Sequence, residues 1–432
     1  MRLLAIDIGS SSVKAAVLNG GKLVGRVARA PFITRCESDR AEVNADELLN
    51  AVAKAIGQLG AKAKSVDAIV HDAMGPSWVA LDRSGRAVTP IVTHQDRRAS
   101  AEAADIEKRV GRAKHLRIVG ARPVPGGISS TTLLWHLRHA RGAMKHACLV
   151  GHASTLLTHA LTGARAIDPS QASFTGLFNT TTLSGWNDQL IDATGVGRAL
   201  LPEVHQANEV VGRVTSVGAR RFGVTVGTPV AAGILDGSAA LLAGSTEVGQ
   251  LMNVSGTTDV LALVIDKPCP HEQLLTRALG VGRKWLAVST ISAAGAALEW
   301  MHRVFFRELS DRRFYALVAS TEPSDVVRVA PSFAGSRTSV EALAGSIQDL
   351  RLSTTREQIL AGLLEALARA SGERLALFRS LKLRMNPNVL VTGGTSGVLA
   401  RVLRRDWPKR FRYRPVDQAT LLGLAKLAPI KH

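Results

Sequence analysis

The chain has 432 residues, 46% hydrophobic, 21% charged and 4% aromatic, with a formal net charge of +19. That length exceeds one compact core and predicts two domains of a soluble globular enzyme. No apolar run reaches the ~18–20 residues of a membrane span, and three scattered cysteines (Cys36, Cys148, Cys269) without a C-x-x-C give no sign of a metal or redox site and suit a reducing cytoplasm. The apolar run from residue 3 leaves no room for a signal or transit peptide, so the expected location is cytoplasmic.

A β-type run over residues 3–6 delivers Asp7, then Gly9, Ser10, Ser11 and Ser12, then Lys14 and a second β-type run over 15–18. This reads as a hairpin with a small polar turn. Its hydroxyls and amides can donate to phosphate oxygens, and an acid at the strand end can hold a hydrated Mg²⁺. The pattern D-x-G-[ST]-x-x-x-[KR] is distinct from a Walker loop. Residues 46–59 have helical periodicity, with Asp46 as expected N-cap and Gly60 as expected stop. Strands follow at 67–70, 78–81 and 91–93, with turn chemistry at 82–86. Helices are expected over 98–110, 131–141 and 151–161.

From Pro229 a strand runs to Asp236-Gly237-Ser238 and an Ala-rich helix to 243, where the two domains, 1–243 and 244–432, are expected to meet. The chain then repeats its opening: a strand over 250–254, the turn Ser255-Gly256-Thr257-Thr258, and a strand from Asp259. Two phosphate-facing hairpins are what a nucleotide clamp needs. A later strand at 388–392 ends in Gly393-Gly394-Thr395-Ser396, an open backbone suited to a purine or ribose. The densest basic cluster spans 401–414. Basic charge suits nucleic acid, an acidic surface or anionic substrates. With no zinc finger, RNP motif or aromatic array beside it, nucleic acid is not an expected partner.

These segments, in this order, resemble the FGGY carbohydrate kinases over nearly the whole chain. The resemblance implies an α/β fold with two actin-like (ribonuclease H-like) lobes and an ATP/sugar cleft between them. It also implies phosphoryl transfer from Mg-ATP to a sugar or polyol hydroxyl. Asp236 matches the family's general base; a plain helix cap is the alternative. Asp7 and Asp236 would serve Mg²⁺. Gly9, Ser10, Ser11, Ser12 and Lys14 would meet the phosphates, as would Ser255, Gly256, Thr257 and Thr258. Gly393, Gly394 and Ser396 match the adenosine loop.

The acceptor side departs from the family. Asp96 stands where a W-x-D-x-R-type segment holds sugar hydroxyls, but His94 replaces the Trp. The alternative for Asp96 is an exposed pair with Arg97 or Arg98. Met74 lies in Ala73-Met74-Gly75-Pro76, where pentulose kinases carry a substrate loop such as G-Q-M-H-G; the His is missing. Ser336 replaces an acid of the family's G-E-R-T segment. The expected acceptor is a ketose such as D-xylulose or D-ribulose, with sedoheptulose, glycerol or another polyol as alternatives. A catalytically silent nucleotide- or sugar-binding sensor is the reading from another class. Family members are often dimers, and no interface signature is visible here.

Overall fold

The computed structural model describes residues 1–335, 338–340, 343–393 and 397–428. The chain forms two compact units. The first comprises Met1–Thr246, Asp266–Leu286 and the chain from Gln418. The second comprises Glu247–Ile265 and Ala287–Asp417.

The first unit is built on the strand Arg2–Ile8, which pairs antiparallel with Ser12–Asn19 and parallel with Ala68–Ala73. Strands Pro229–Ala231 and Ile234–Leu235 extend the sheet on the far side of Ala68–Ala73. Both faces are covered, so these strands are apolar at odd and even positions alike. Leu4, Ile6 and Ile8 pack in one core with Leu48, Val52, Leu156 and Leu157, from the helices Ala45–Gly57 and Ala153–Thr162. Leu3 and Ala5 pack in the other with Ala239, Leu242, Leu421 and Leu424, from the helices Asp236–Leu242 and Ala419–Leu424. A second sheet holds Ser77–Leu81, Ile91–Thr93 and Leu149–His152.

The second unit repeats the opening motif. Leu251–Ser255 pairs antiparallel with Asp259–Ile265 and parallel with Asn388–Thr392. Arg356–Ser380 is its longest helix, started by a capping box in which Thr355 and Gln358 satisfy each other's backbone.

The cap and the stop of the first helix differ from expectation, and the strand expected over 67–70 runs as Ala68–Ala73. The N-cap of the first helix is Asn44, whose side-chain Oδ1 accepts from Asp46 and Glu47 N–H. Asp46 therefore lies inside the first turn. Beyond that helix, Gly60 opens a 3₁₀ turn, Gly60–Lys64.

Candidate active site

Three carboxylates meet where the first unit's strands end. Asp7 and Asp72 are register partners on adjacent parallel strands, so they share one face. That face also carries Leu3, Ala5, Ala68 and Val70, and it is covered by the helices Asp236–Leu242 and Ala419–Leu424. Asp236 follows Leu235, which pairs with Ala73. It is half-buried and lies in the helix's first turn, where its Oδ1 accepts the Gly237 N–H at 2.6 Å. The N-cap position belongs to Leu235.

Asp7 is 4% exposed. Its Oδ2 accepts from Thr420 Oγ1 at 2.7 Å and from Lys14 Nζ at 3.3 Å. Thr420 was invisible to the sequence reading, because nothing local links it to Asp7. Asp72 was also missed, although its signal is the same as that of Asp7, an acid closing an apolar strand. Asp72 is fully buried, and among the described residues no N–H or O–H group donates to either oxygen. Burial raises its pKa well above the usual carboxylate range, and the charges of Asp7 and Asp236 add to this; Lys14 opposes them. A hydrogen bond with Asp7 forms only when Asp72 carries the proton.

The first hairpin turn is closed by Gly9 N–H donating to Ser12 O at 3.1 Å. Ser10 and Ser11 are exposed at its tip, while Ser12 is buried and accepts from Arg29 Nε at 3.0 Å. Arg29 adds a cation beside Lys14 that sequence reasoning did not single out.

The residues expected on the acceptor side are placed differently. Asp96 is 1% exposed, and both oxygens accept from Arg98, at 2.6 to 3.0 Å. Oδ2 also accepts the Ala41 N–H at 2.9 Å. It offers no open acceptor for vicinal hydroxyls, and it is a buried pair rather than an exposed one. The neighbouring Arg97 holds the backbone of the same turn. Its Nη1 donates to the carbonyls of His94, Asp96 and Pro125 and pins this turn to the 122–127 loop. His94 is half-buried in that turn. The Met74 side chain is 2% exposed and belongs to the core, so the turn presents its backbone.

In the second unit, Gly256–Thr258 forms a three-residue turn closed by Gly256 N–H to Thr258 O at 2.9 Å. The Ser255 hydroxyl is turned inward and donates to Asp259. Asp259 in turn takes Arg374 Nη2 at 2.5 Å and Asn253 Nδ2 at 2.8 Å. The carbonyls of Gly256 and Thr257 accept from Gly295, Ala294 and Ala296, at the start of the helix Gly295–Phe305. The turn is thus braced from below, with Thr257 exposed at its tip. Gly393 lies flush against it: a Cβ there would sit 2.0 Å from Ser255 O, at a φ of +116°. Gly394, Ser396 and Ser336 lie outside the described residues.

Family models match this chain along most of its length. The N-terminal domain of the FGGY family of carbohydrate kinases matches residues 2–243, and its C-terminal domain matches residues 251–407. The chain belongs to the FGGY family of carbohydrate kinases. Glycerol kinase of Geobacillus kaustophilus is 29% identical over 397 residues, covering 87% of this chain and 78% of the relative. Glycerol kinase of Bacillus licheniformis is 28% identical over 388 residues, covering 85% and 77%. The fold matches a xylulose kinase from Rhodospirillum rubrum at a TM-score of 0.87 and 23% identity, covering 99% of this chain and 89% of that one. It also matches Plasmodium falciparum glycerol kinase with ADP at 0.84 and 18% identity, covering 99% and 88%. As an FGGY kinase the protein is a phosphotransferase with the family's mixed α/β fold. FGGY kinases use ATP, generally with Mg²⁺. Among the described residues no helix is long and apolar enough to cross a membrane.

Proposed function

We propose that this FGGY kinase transfers the γ-phosphoryl group of ATP to a hydroxyl of an open-chain ketose such as D-xylulose or D-ribulose. Asp236 is the general base in this reading. The observation that carries it is the convergence of Asp7, Asp72 and Asp236 at adjacent strand ends, with Lys14 paired to Asp7. Phosphoryl transfer asks little covalent chemistry of the protein; it needs a placed acceptor oxygen, a proton acceptor and charge compensation.

The donor set fits a hard cation. Asp7 and Asp236 supply oxygen and negative charge, and the buried Asp72 beside them is held neutral by its surroundings. Among the described residues no cluster of three or more His, Cys, Asp or Glu is arranged to cage a metal. The cation would therefore rest on Asp7 and Asp236 and take its other oxygens from phosphate and water, as Mg²⁺ commonly does. Bound there, Mg²⁺ would neutralise charge on the phosphates.

The chain's own groups do the rest. Asp236 accepts the hydroxyl proton from its place in the first turn of its helix. Lys14, Arg29 and the Gly9–Ser12 turn offer donors to phosphate oxygens. In the second unit we assign the same role to Gly256, Thr257 and Thr258, with Ser255 as their buried anchor and Gly393 on the adenosine side.

Glycerol is the second reading, favoured by the curated relatives at 28–29% identity. A coupled ADP-release assay across pentuloses, heptuloses, gluconate and glycerol decides between them. Asp236→Asn should lower kcat on the best acceptor by ~10²–10⁴, the range of general-base loss, with the MgATP KM little changed. Full turnover in that variant removes Asp236 from the role. Tight ATP binding without acceptor-stimulated turnover points to a sensor.

A further inference from the structure

Residues 168–171, Asp168-Pro169-Ser170-Gln171, touch both strands that lead into the acid cluster. Asp168 caps the short helical turn Pro169–Ala172, accepting from Ser170 and Gln171 N–H. From that turn two side chains reach in different directions. Ser170 Oγ donates to Asp168 and accepts the Leu235 N–H at 2.9 Å, one residue before Asp236. Gln171 Nε2 donates to the Ala73 carbonyl at 2.8 Å, one residue before Met74.

Leu235 and Ala73 are themselves register partners. The segment therefore grips the end of each strand at the point where the chain turns off the sheet. The backbone around Gly75 leaves no slack, since a Cβ there would meet Leu235 at 2.5 Å and Gln171 Oε1 at 3.1 Å.

Gln171 is oriented by a buried chain of donors. Its amide nitrogen faces a carbonyl, so its Oε1 accepts from His152 Nδ1–H at 2.7 Å. That leaves His152 Nε2 to accept the Ser129 hydroxyl at 2.8 Å. Ser129, His152 and Gln171 are each at most 4% exposed. Every link has one allowed direction, which removes the rotational freedom of the Gln171 amide.

We infer that Ser170 and Gln171 are positioning residues for phosphoryl transfer: Ser170 sets the placement of Asp236, and Gln171, locked by His152 and Ser129, sets the Met74–Pro76 turn that faces the acceptor. This inference rests on the assignment of Asp236 as base and of that turn as acceptor-facing. The two side chains act on different partners, so their losses separate kinetically.

The test uses the full chain and its best acceptor. Gln171→Met keeps length and removes both links; the acceptor KM should rise about ten- to a hundredfold while the MgATP KM stays within about twofold. Ser170→Ala frees the Leu235 N–H; kcat should fall by about tenfold or more with a smaller change in acceptor KM. Thermal unfolding checks that each variant is folded, and either variant alone carries the test if the other is not. Folded variants with wild-type kinetics overturn the inference, and so does an equal rise in both KM values, the mark of a general loosening. Absence of acceptor-stimulated turnover in the wild-type protein overturns the base assignment instead, and this inference falls with it.

Discussion

Asp96 shows how one residue's neighbours decide its use. The family resemblance implied a sugar-facing carboxylate, but both oxygens are taken by Arg98 and the Ala41 N–H. Arg98 is also held by Glu42 at 2.5 Å. Breaking one partner of a buried pair costs about 3–5 kcal/mol, because the remaining charge stays buried. Glu42 keeps Arg98 partly compensated, so Asp96→Ala should cost about 3 kcal/mol in urea unfolding. Any kinetic effect should follow from that loss. A variant of unchanged stability with a raised acceptor KM would return Asp96 to the substrate.

The two hairpins are the elements that matter most, and they are braced differently. The first is open at its tip, with Arg29 and Lys14 alongside. The second is buttressed by the Arg374–Asp259 pair, the start of the Gly295–Phe305 helix and Gly393. At Gly393 the φ of +116° is strained for any side chain, and a Cβ would collide with Ser255 O. Gly393→Ala should therefore destabilise the protein by about 2 kcal/mol or more. Relief of the clash must push the Ser255 backbone, so the MgATP KM should rise several-fold with the acceptor KM little affected. Wild-type stability and MgATP KM in this variant would show that the hairpin does not depend on that close approach.

At the scale of the whole molecule, buried titratable groups set how stability follows pH. Burial holds His71, His115 and His152 down to about 4, and lowers His136 as well. Unfolding raises these histidines to their ordinary value near 6.5, so stability is lost as pH falls below that value. Asp168 behaves oppositely. Burial pushes it up to about 7 against the hydrogen bonds it accepts, and Asp72 is raised too. These carboxyls keep a proton in the native state that the unfolded chain releases above about 4, so their contribution is lost as pH rises through the native value. The histidines outnumber the carboxyls below pH 6.5, and only the carboxyls act above it. Stability should peak close to about pH 6.5. Asp168→Asn keeps the cap and should steepen the rise between about pH 4.5 and 6.5, where Asp168 opposes the histidines, and move the maximum to higher pH. Urea midpoints from pH 4.5 to 8 check both; a wild-type curve that climbs steadily across that range would contradict them.

The strand–turn–strand pattern at each hairpin, the family and the place of Asp7 and Asp236 were legible in the sequence, because they rest on local periodicity and on short motifs of small and hydroxyl residues. The strand before Asp72 was legible only over 67–70, which left Asp72 beyond its end; folding extends it to Ala73. What folding alone decided was which side chains meet. The parallel register of Arg2–Ile8 with Ala68–Ala73 puts Asp72 beside Asp7. The return of the chain at Gln418 brings Thr420 to Asp7. The 168–171 turn reaches two strand ends that lie far from it in sequence. The inward fate of Asp96 and of the Met74 side chain was settled in the same way. Side-chain alternation along a strand is encoded locally, but which strand lies next to it, and which helix covers its face, follows from long-range packing that no single segment records.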